Sequence, residues 1–338
     1  MLLSAVEGSA RDAPPAGHPG IDRRTALAWP PVARAQPAKV PTVGVLWHAG
    51  NAEQEGSNYL ALVKGFADIG FVDGRTIRLE HRFPNEEPAR FRSMAAELAS
   101  ISDVIVVIGA NAPPYAKAAT TTVPIVFALV PDPIGTKLIT NLARPDGNIT
   151  GFTNSAADLI GKRLELLKDV IPGLARVALL VNSNSQLAET YAETTRTASA
   201  ALGLAGPTFA WKALDDLDGV FAGMRAAGTQ AVIVNPDGWW FTNRAAIAAV
   251  AMKYKLPIST YSRQTLDAGA LMAYGVDHDA ICRRVAIYVD RLLKGTKPAD
   301  LPVEQPTKFE FLINLKAAHA LGLTIPAVVL ARADEVIE

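Results

Sequence analysis

The stretch LARPDGNITGFTN (residues 142–154) places four turn-forming residues, Pro-Asp-Gly-Asn, directly before an apolar, β-branched segment of the 338-residue chain. Proline, aspartate, glycine and asparagine each favour turns for a separate physical reason, so the chain reverses or leaves an element at residues 145–148. Short apolar runs alternate with helical segments on both sides of the stretch. We therefore interpret residues 147–154 as a crossing between two lobes of similar size.

Apolar runs of strand type occur before and after this crossing. They are TVGVLW (42–47), DVIVVIG (103–109) and VPIVFALV (123–130), then RVALLVN (176–182), TQAVIVN (229–235) and LPIST (256–260). Segments with apolar residues at helical spacing separate the runs. Because the runs are continuously apolar and do not alternate with polar residues, they predict parallel sheets with helices on both faces.

The end of the chain indicates that the two lobes are discontinuous. HDAICRRVAIYVDRLLKG (278–295) is predicted as an amphipathic helix, and a proline-spaced extended segment and a last helix follow it. This late return of the chain predicts an α/β fold with two discontinuous Rossmann-like lobes around a hinged interlobe cleft. We assign residues 37–152 and 276–300 to lobe 1, and residues 153–275 and 301–338 to lobe 2.

The composition argues against several classes of protein. Lysine plus arginine and aspartate plus glutamate both number 33, so the formal net charge is zero, which disfavours nucleic acid and anionic membranes as partners. The sequence contains no run of about 18 apolar residues that would span a membrane. Cys282 is the only cysteine, which excludes an internal disulfide and a cysteine-rich metal site.

The N-terminal segment has the three parts of an export signal in order. RRTALAWPPVARAQ (residues 23–36) carries paired arginines, a short apolar region and the small-x-small pattern Ala33-Arg34-Ala35. The apolar region is near the short limit for such signals and contains two prolines. A disordered tail is the alternative interpretation of residues 1–36.

Candidate ligand-binding residues follow the predicted strands. Ligands of open parallel sheets bind beyond the carboxyl ends of the strands, so the loops after each strand are the candidates. These loops are rich in amide, hydroxyl, carboxylate and aromatic side chains, which suit a small polar ligand. The predicted ligand-binding residues are His48, Asn51, Ala110, Asn111, Asp132, Thr153, Asn182, Asn235, Asp237, Trp239, Tyr261 and Tyr274.

The chemistry of these residues suits a zwitterion held between the lobes. We expect Asp132 or Asp237 to bind an ammonium group. The backbone amides around Asn111 are expected to bind a carboxylate, and Tyr261 to stack on an aromatic ring. Helix capping is the alternative role of each aspartate and asparagine. Of the aromatic residues at positions 239–241, we expect one to lie in the core and another to face the cleft.

Motifs for catalysis and metal binding are weak. The five histidines are scattered with no pair at metal-ligand spacing, and neither a nucleophile elbow nor a glycine-rich dinucleotide fingerprint is present. We therefore expect no catalysis, no metal and no cofactor. One alternative is an enzyme that uses Asp132 and Asp237 as acid and base. A second is a cytosolic ligand sensor of the same fold, although no basic segment or helix-turn-helix precedes Val43.

Three segments have amino-acid sequences that are characteristic of a known family. They are ITNLARPDGNITGFT (139–153), GKRLELLKDVIPGLARVALL (161–180) and the block from PVEQPTKFE to LGLTIP (302–326). These segments closely resemble the bacterial ABC-transporter substrate-binding family that includes candidates for tryptophan and tyrosine uptake. The resemblance extends over residues 41–338 and implies a type I periplasmic binding protein fold without catalysis.

The resemblance also implies a function and a location. Members of this family bind a small solute by closure of two lobes and deliver it to the transmembrane subunits of an ABC permease. They begin with an arginine-led signal ending in ARAQ, as this chain does, so we expect a periplasmic monomer, or a cytoplasmic protein if the signal is not functional. Short aromatic or branched carboxylates remain open as ligands. Aromatic amino acids are the first choice, because aromatic residues lie in or beside the predicted cleft loops: Tyr115, Trp239, Trp240, Tyr261 and Tyr274.

Overall fold

The computed structural model describes residues 39–338, so the predicted export signal lies outside the described residues. The strands are β1 (Thr42–Leu46), β2 (Arg78–Arg82), β3 (Val104–Ile108), β4 (Ile125–Val130), β5 (Ile149–Thr153), β6 (Val177–Asn182), β7 (Thr208–Trp211), β8 (Ala231–Val234), β9 (Ile258–Thr260), β10 (Met272–Gly275), β11 (Glu310–Asn314) and β12 (Glu335–Ile337). The helices are α1 (Ala52–Glu55), α2 (Ser57–Asp68), α3 (Pro88–Ile101), α4 (Pro113–Ala119), α5 (Ile160–Val170), α6 (Ala188–Ala201), α7 (Leu217–Ala226), α8 (Gly238–Thr242), α9 (Arg244–Lys253), α10 (Arg263–Asp267), α11 (His278–Leu293), α12 (Leu315–Leu321) and α13 (Ala327–Leu330).

The first lobe is built around a five-stranded parallel sheet with the strand order β2-β1-β3-β4-β5. Side chains of each strand alternate between its two faces. Val43 and Val45 of β1 pack with α2 and α11, whereas Leu46 packs with α3 and α4. Because helices cover both faces, every residue of β3 and β4 is buried. The predicted parallel sheet with two covered faces is confirmed here.

The second lobe is built around a seven-stranded sheet with the strand order β12-β11-β10-β9-β8-β6-β7. Ile233 of β8 packs with α5 and α6, and Val232 and Val234 pack with α7 and α9 on the other face. All neighbouring strands are parallel except β10 and β11. This pair is antiparallel because the chain leaves β10 for α11 in the first lobe and then re-enters the second sheet beside the carboxyl end of β10.

The Pro-Asp-Gly-Asn turn lies inside the first lobe, which differs from the prediction that it is the crossing itself. Residues 149–153 after the turn form β5, the edge strand that pairs with β4. Gly151 must be a glycine in this strand, because a Cβ would lie 2.0 Å from the carbonyl oxygen of Phe127. The crossing to the second lobe therefore begins after Thr153.

Residues 301–304 also pack in the first lobe, although we assigned them to lobe 2 from the sequence. Leu301 and Val303 are buried in the first-lobe core. The amide of Glu304 donates to the carbonyl of Gly151 at 2.9 Å, and the amide of Thr153 donates to the carbonyl of Glu304 at 3.0 Å. The segment thus extends the sheet beside β5, and the last crossing begins after Glu304. The apolar residues of segment 301–304 could pack in either lobe. The hydrogen bonds to β5 place the segment in the first lobe.

Helix α11 brings the late part of the chain back to the first lobe, where it packs on α2 and the sheet. The approach of α2 to α11 requires Gly65, because a Cβ at this position would lie 2.4 Å from the carbonyl oxygen of Arg283. Within residues 39–338, neither α11 nor any other helix has the length and apolar character needed to cross a lipid bilayer.

We expect Gly65→Ala to lower the free energy of unfolding by about 1–3 kcal/mol, because the added methyl group forces α2 away from α11. The matched control is Gly219→Ala in α7, where a Cβ meets no atom within 4 Å. This control should raise the free energy of unfolding by about 0.5–1 kcal/mol, because alanine loses less backbone entropy on folding. Urea denaturation measures both variants, and equal stability of the two would show that the helices have room to separate.

Candidate functional site

The two lobes enclose a cavity where the carboxyl ends of their central strands face each other. The first-lobe wall consists of His48, Asn58, Gly109, Ala110, Leu129 and His278, and the second-lobe wall of Pro236, Asp237, Gly238, Phe241 and Tyr261, with Asn154 of the first crossing between them. The cavity measures about 30 Å³. This volume is room for about two water molecules.

Contacts beside the cavity join the lobes directly. Gln264 Nε2 of the second lobe donates to Ser57 Oγ of the first lobe at 2.9 Å. Gly238 approaches Glu86 so closely that a Cβ at Gly238 would lie 1.6 Å from Glu86 Oε1. A side chain at position 238 would therefore hold the lobes apart, and the structure is a closed form of the two-lobed chain.

His48 lies between two buried carboxylates. Its Nε2 is 3.4 Å from Glu55 Oε2, and its Nδ1 is 3.3 Å from Glu86 Oε1. Burial alone would lower the pKa of His48, but the Glu55 and Glu86 carboxylates outweigh this effect and raise that pKa to about 9. His48 is therefore protonated at neutral pH. Although these three groups meet here, no group of three or more His, Cys, Asp and Glu side chains within residues 39–338 is arranged to hold a metal ion.

The backbone around His48 is shaped by the same two carboxylates. Glu55 Oε1 accepts the amides of His48 and Ala49 at 3.2 and 2.9 Å, which fixes the loop after β1. Asn85 and Glu86 both adopt left-handed backbone conformations, with φ of 58° and 57°. Asparagine adopts this conformation readily, but it is uncommon for glutamate, and such uncommon conformations are concentrated at functional sites. The two residues turn the Glu86 side chain into the cleft.

Asp237 both caps a helix and lines the cavity. Its Oδ1 accepts the amide of Trp240 and the side-chain amide of Asn182, each at 3.1 Å. Its Oδ2 has no hydrogen-bond partner among the described residues. Burial, and then the Glu86 carboxylate, raise the pKa of Asp237 to about 6. Helix capping and ligand binding were alternative predictions for Asp237. Oδ1 caps α8, and Oδ2 remains available to a ligand.

Four other predicted ligand residues lie at the cavity or directly behind it. Ala110 and Tyr261 line the cavity. Asn111 Nδ2 donates to Glu86 Oε2 at 2.9 Å, so this side chain orients the carboxylate beside His48. Asn182 orients Asp237 in the same way from the second lobe.

Asn235 supports the second-lobe wall from behind through a buried arginine. Arg163 of α5 is fully buried, and its guanidinium donates to the carbonyl of Val234 and to Asn235 Oδ1. Burial lowers the pKa of Arg163 to about 10, so the guanidinium remains cationic at neutral pH. Asn235 also lines a second small cavity inside this lobe together with Asn182 and Asp237.

Asn51 and Asp132 lie outside the cavity lining, and local turns account for their side chains. Asn51 Oδ1 accepts the amide of Gln54 at 2.9 Å as the N-cap of α1. Asp132 Oδ1 accepts the amide of Gly135 at 2.7 Å within its own turn. Asp132 caps no helix, since turns connect β4 to β5, and its side chain stabilises one of these turns. Asp132 and Asp237 therefore do not meet in one cavity as an acid–base pair.

Thr153, Trp239 and Tyr274 are also absent from the cavity lining. Thr153 Oγ1 donates to the carbonyl of Val130 at 2.7 Å and so holds the end of β5. Trp239 packs on the second-lobe core, and the ring of Tyr274 lies 6.1 Å from that of Phe309. Of the aromatic residues at positions 239–241, Phe241 is the one that lines the cavity.

Four polar residues at or beside the cavity were not predicted from the sequence: Glu55, Asn58, Glu86 and His278. Each follows the carboxyl end of a first- or second-lobe strand, namely β1, β2 or β10. The strand-end rule, applied to every strand, would have included the segments that contain them.

The amino-acid sequence is similar to a known protein family and to a characterised relative. The profile described as ABC transporter substrate binding protein matches residues 54–337. A tyrosine-binding protein of Clostridioides difficile (strain R20291) is 24% identical over 269 residues, which cover 77% of this chain and 75% of the relative. Both matches extend across the two lobes.

Structural comparisons agree with the sequence comparisons. The ABC domain of Streptococcus pneumoniae in complex with L-Trp is 25% identical, with a TM-score of 0.80 over 88% of this chain and 99% of that chain. A conserved domain protein of Vibrio cholerae O1 biovar El Tor is 24% identical, with a TM-score of 0.81 over 88% of this chain and 100% of that chain. The predicted fold, an α/β type I periplasmic binding protein, is confirmed.

We expect His48→Gln to lower the free energy of unfolding by about 3–5 kcal/mol near pH 6, because it leaves two buried carboxylates without a cation. The folded pKa of His48, about 9, lies above the ordinary value of 6.5. Its contribution is therefore fully present below pH 6.5 and is lost as the pH rises through 9. The difference in stability between wild type and His48→Gln should shrink across that range.

Urea denaturation near pH 6 and above pH 9 measures this difference, with His319→Gln as the control for replacing an exposed histidine. The control should be as stable as the wild type at both pH values. A His48→Gln protein whose deficit is the same near pH 6 and above pH 9 would contradict a protonated His48.

Proposed function

The chain belongs to the ABC transporter substrate-binding protein family, and we propose that it captures an amino acid between its lobes, with the ammonium group beside Asp237. The chain is a solute-binding receptor of an ABC importer. We propose further that the loaded, closed form is recognised by the transmembrane subunits of a permease.

The observation that supports this proposal is a closed cavity with unpaired polar atoms in both walls. Asp237 Oδ2, Asn58 Nδ2 and His278 Nδ1 are buried and make no hydrogen bond within the described residues. Each such group costs about 1–3 kcal/mol when it is left unpaired. A small ligand with both donors and acceptors removes several of these costs at once, so it favours the closed form.

The ligand side chain is proposed to be aromatic or branched. Phe241 and Tyr261 line the cavity and contribute aromatic surface that such a side chain can contact. Tyr115, one basis of the aromatic prediction, instead stacks on Phe91 with ring centroids 5.0 Å apart. The related proteins named above bind L-Trp and tyrosine. Because the cavity measures about 30 Å³, an aromatic ligand requires Phe241 to move or the lobes to separate slightly.

Closure is proposed to depend on the three crossings near residues 154, 276 and 305. A ligand shifts the balance between open and closed forms only if it contacts the two forms differently. The Gln264–Ser57 hydrogen bond and the Gly238–Glu86 approach join the lobes and so belong to the closed form. A ligand that contacts Asp237 in one wall and His48 or Asn58 in the other would favour that form.

We expect Asp237→Asn to weaken the binding of an amino acid about ten- to hundredfold, because it removes a charge-assisted hydrogen bond to the ammonium group. The melting temperature without ligand should change little, because asparagine caps a helix as well as aspartate does. Isothermal titration calorimetry with L-Trp, L-Tyr, L-Phe and L-Leu measures the affinities. An Asp237→Asn protein that binds as tightly as wild type would remove Asp237 from the ligand site.

The pH dependence gives a second measurement on the same pair of proteins. An ammonium group binds ionised Asp237, and the pKa of this carboxyl is about 6 before ligand binds. The wild-type affinity should therefore fall about tenfold from about pH 7 to about pH 5, as Asp237 becomes protonated. His48 remains protonated across this range and does not contribute. Asp237→Asn should show a flat profile.

We propose that the receptor works in the periplasm after export by the signal-like segment at residues 23–36. The support is the order of its parts and the family to which the chain belongs. Mapping the mature N-terminus in a bacterial host tests this proposal. Cleavage before Gln36 is expected, and an intact chain in the cytoplasm would favour a ligand sensor.

A further inference from the structure

Two neutral side chains of the first-lobe wall, Asn58 and His278, each contain a buried nitrogen atom that makes no hydrogen bond among the described residues. Asn58 is fully buried and His278 is 5% exposed, and both line the cavity. Asn58 Nδ2 and His278 Nδ1 have no partner among residues 39–338. Buried amide and imidazole groups are normally paired, so two of them in one wall indicate a missing polar partner.

The orientation of Asn58 is fixed by a residue of the opposite lobe. Gln264 Nε2 shares its two hydrogens among three acceptors, Ser57 Oγ at 2.9 Å, Asn58 Oδ1 at 3.2 Å and Asp279 Oδ1 at 3.2 Å. The oxygen of the Asn58 amide therefore faces Gln264, and the NH₂ group remains free to donate. Because Gln264 belongs to the second lobe, closure itself sets this orientation.

His278 presents its ring to the same cavity at the start of α11. Asp277 caps this helix by accepting the amide of Ala280 at 3.0 Å, and the His278 ring lies 6.0 Å from that of Tyr261. Burial lowers the pKa of His278 to about 4, so the imidazole is neutral at pH 7. A neutral imidazole has one N–H donor, and Nδ1 is buried without a hydrogen-bond partner among the described residues, so the tautomer with its proton on Nδ1 is the one that can donate to a ligand there.

The nearby arginines are already engaged elsewhere. Neither an arginine nor a lysine is among the described residues that line the cavity. Arg163 donates to the carbonyl of Val234 and to Asn235, behind the second-lobe wall. Arg244 donates to the carbonyls of Gln54 and Phe241. Neutral hydrogen-bond donors and the positive charge of protonated His48 are therefore the groups that can stabilise an anionic group in the cavity.

We propose that Asn58 Nδ2 and His278 Nδ1 form the subsite that receives the carboxylate of the ligand. This inference rests on the proposed function, because it assumes that the cavity binds an amino acid whose ammonium group lies beside Asp237. The two ends of the ligand then contact different lobes. An α-amino acid bridges the closed form, whereas an amine that lacks the carboxylate leaves both first-lobe donors unpaired.

The test compares each amino acid with the amine formed by removing its carboxylate. The probe pairs are L-Tyr with tyramine, L-Trp with tryptamine and L-Leu with isoamylamine, each titrated into the full chain by calorimetry. Wild type should prefer the amino acid of the best-binding pair about tenfold or more, because two hydrogen bonds to a charged group are lost with the amine.

Asn58→Asp places a negative charge at the proposed carboxylate subsite while preserving the oxygen that accepts from Gln264. It should weaken the amino acid about ten- to hundredfold and leave the amine unchanged or bound more tightly. Asn141→Asp is the matched control, because Asn141 is exposed in the first lobe and its Oδ1 accepts the amides of Ala143 and Arg144. The control should bind both probes as wild type does.

His278→Phe provides an independent variant if Asn58→Asp does not fold. It removes the second donor, and the preference for amino acid over amine should fall about tenfold. Equal losses for amino acid and amine in the two variants, or no loss in either, would overturn the carboxylate subsite while leaving the receptor function intact. Wild type that binds none of the six probes would count against both the subsite and the amino-acid ligand.

Discussion

Burial of a protonated histidine between two carboxylates is the interaction on which the cleft depends. His48 remains charged inside the closed form because Glu55 and Glu86 flank its ring, 3.4 and 3.3 Å away. The same carboxylates hold the surrounding chain, since Glu55 accepts the amides after β1 and Glu86 accepts from Asn111. A charge cluster of this kind is costly to bury unless every member is paired. Its geometry therefore fixes the loops that form the first-lobe wall.

The cluster also links the two lobes. Glu86 contacts the second lobe at Gly238, where the absence of a side chain allows close approach. The neighbouring Asp237 is buried by this approach, and the proximity of Glu86 contributes to its raised pKa. The closed form thus gathers three carboxylates, one charged imidazole and several unpaired donors in a small volume. A ligand that supplies a positive and a negative end relieves the unpaired groups of both walls, which couples ligand binding to closure.

Substrate-binding proteins of this family share a fold, but the residues at the cleft decide what they bind. In this chain, short segments at the ends of strands in both lobes line the cavity, while the helices and sheets behind them support these segments. Several side chains contribute indirectly. Asn182 orients Asp237, and Gln264 orients Asn58 across the cleft. Residues behind the cavity therefore help to position the side chains that line it.

The sequence by itself determined the parallel sheets, the two-lobed α/β architecture, and the position of Asp237, Tyr261 and Ala110 at strand ends. These features follow from apolar periodicity and local turn chemistry, which are properties of neighbouring residues. Tertiary structure alone decided that Asn51 and Asp132 lie outside the cavity, because helix capping and ligand binding require the same side chains at the same local positions. It also decided that Glu55, Glu86 and His278 belong to one site. They are remote in sequence, and only the fold of the first lobe, including the return of α11 to it, brings their side chains together.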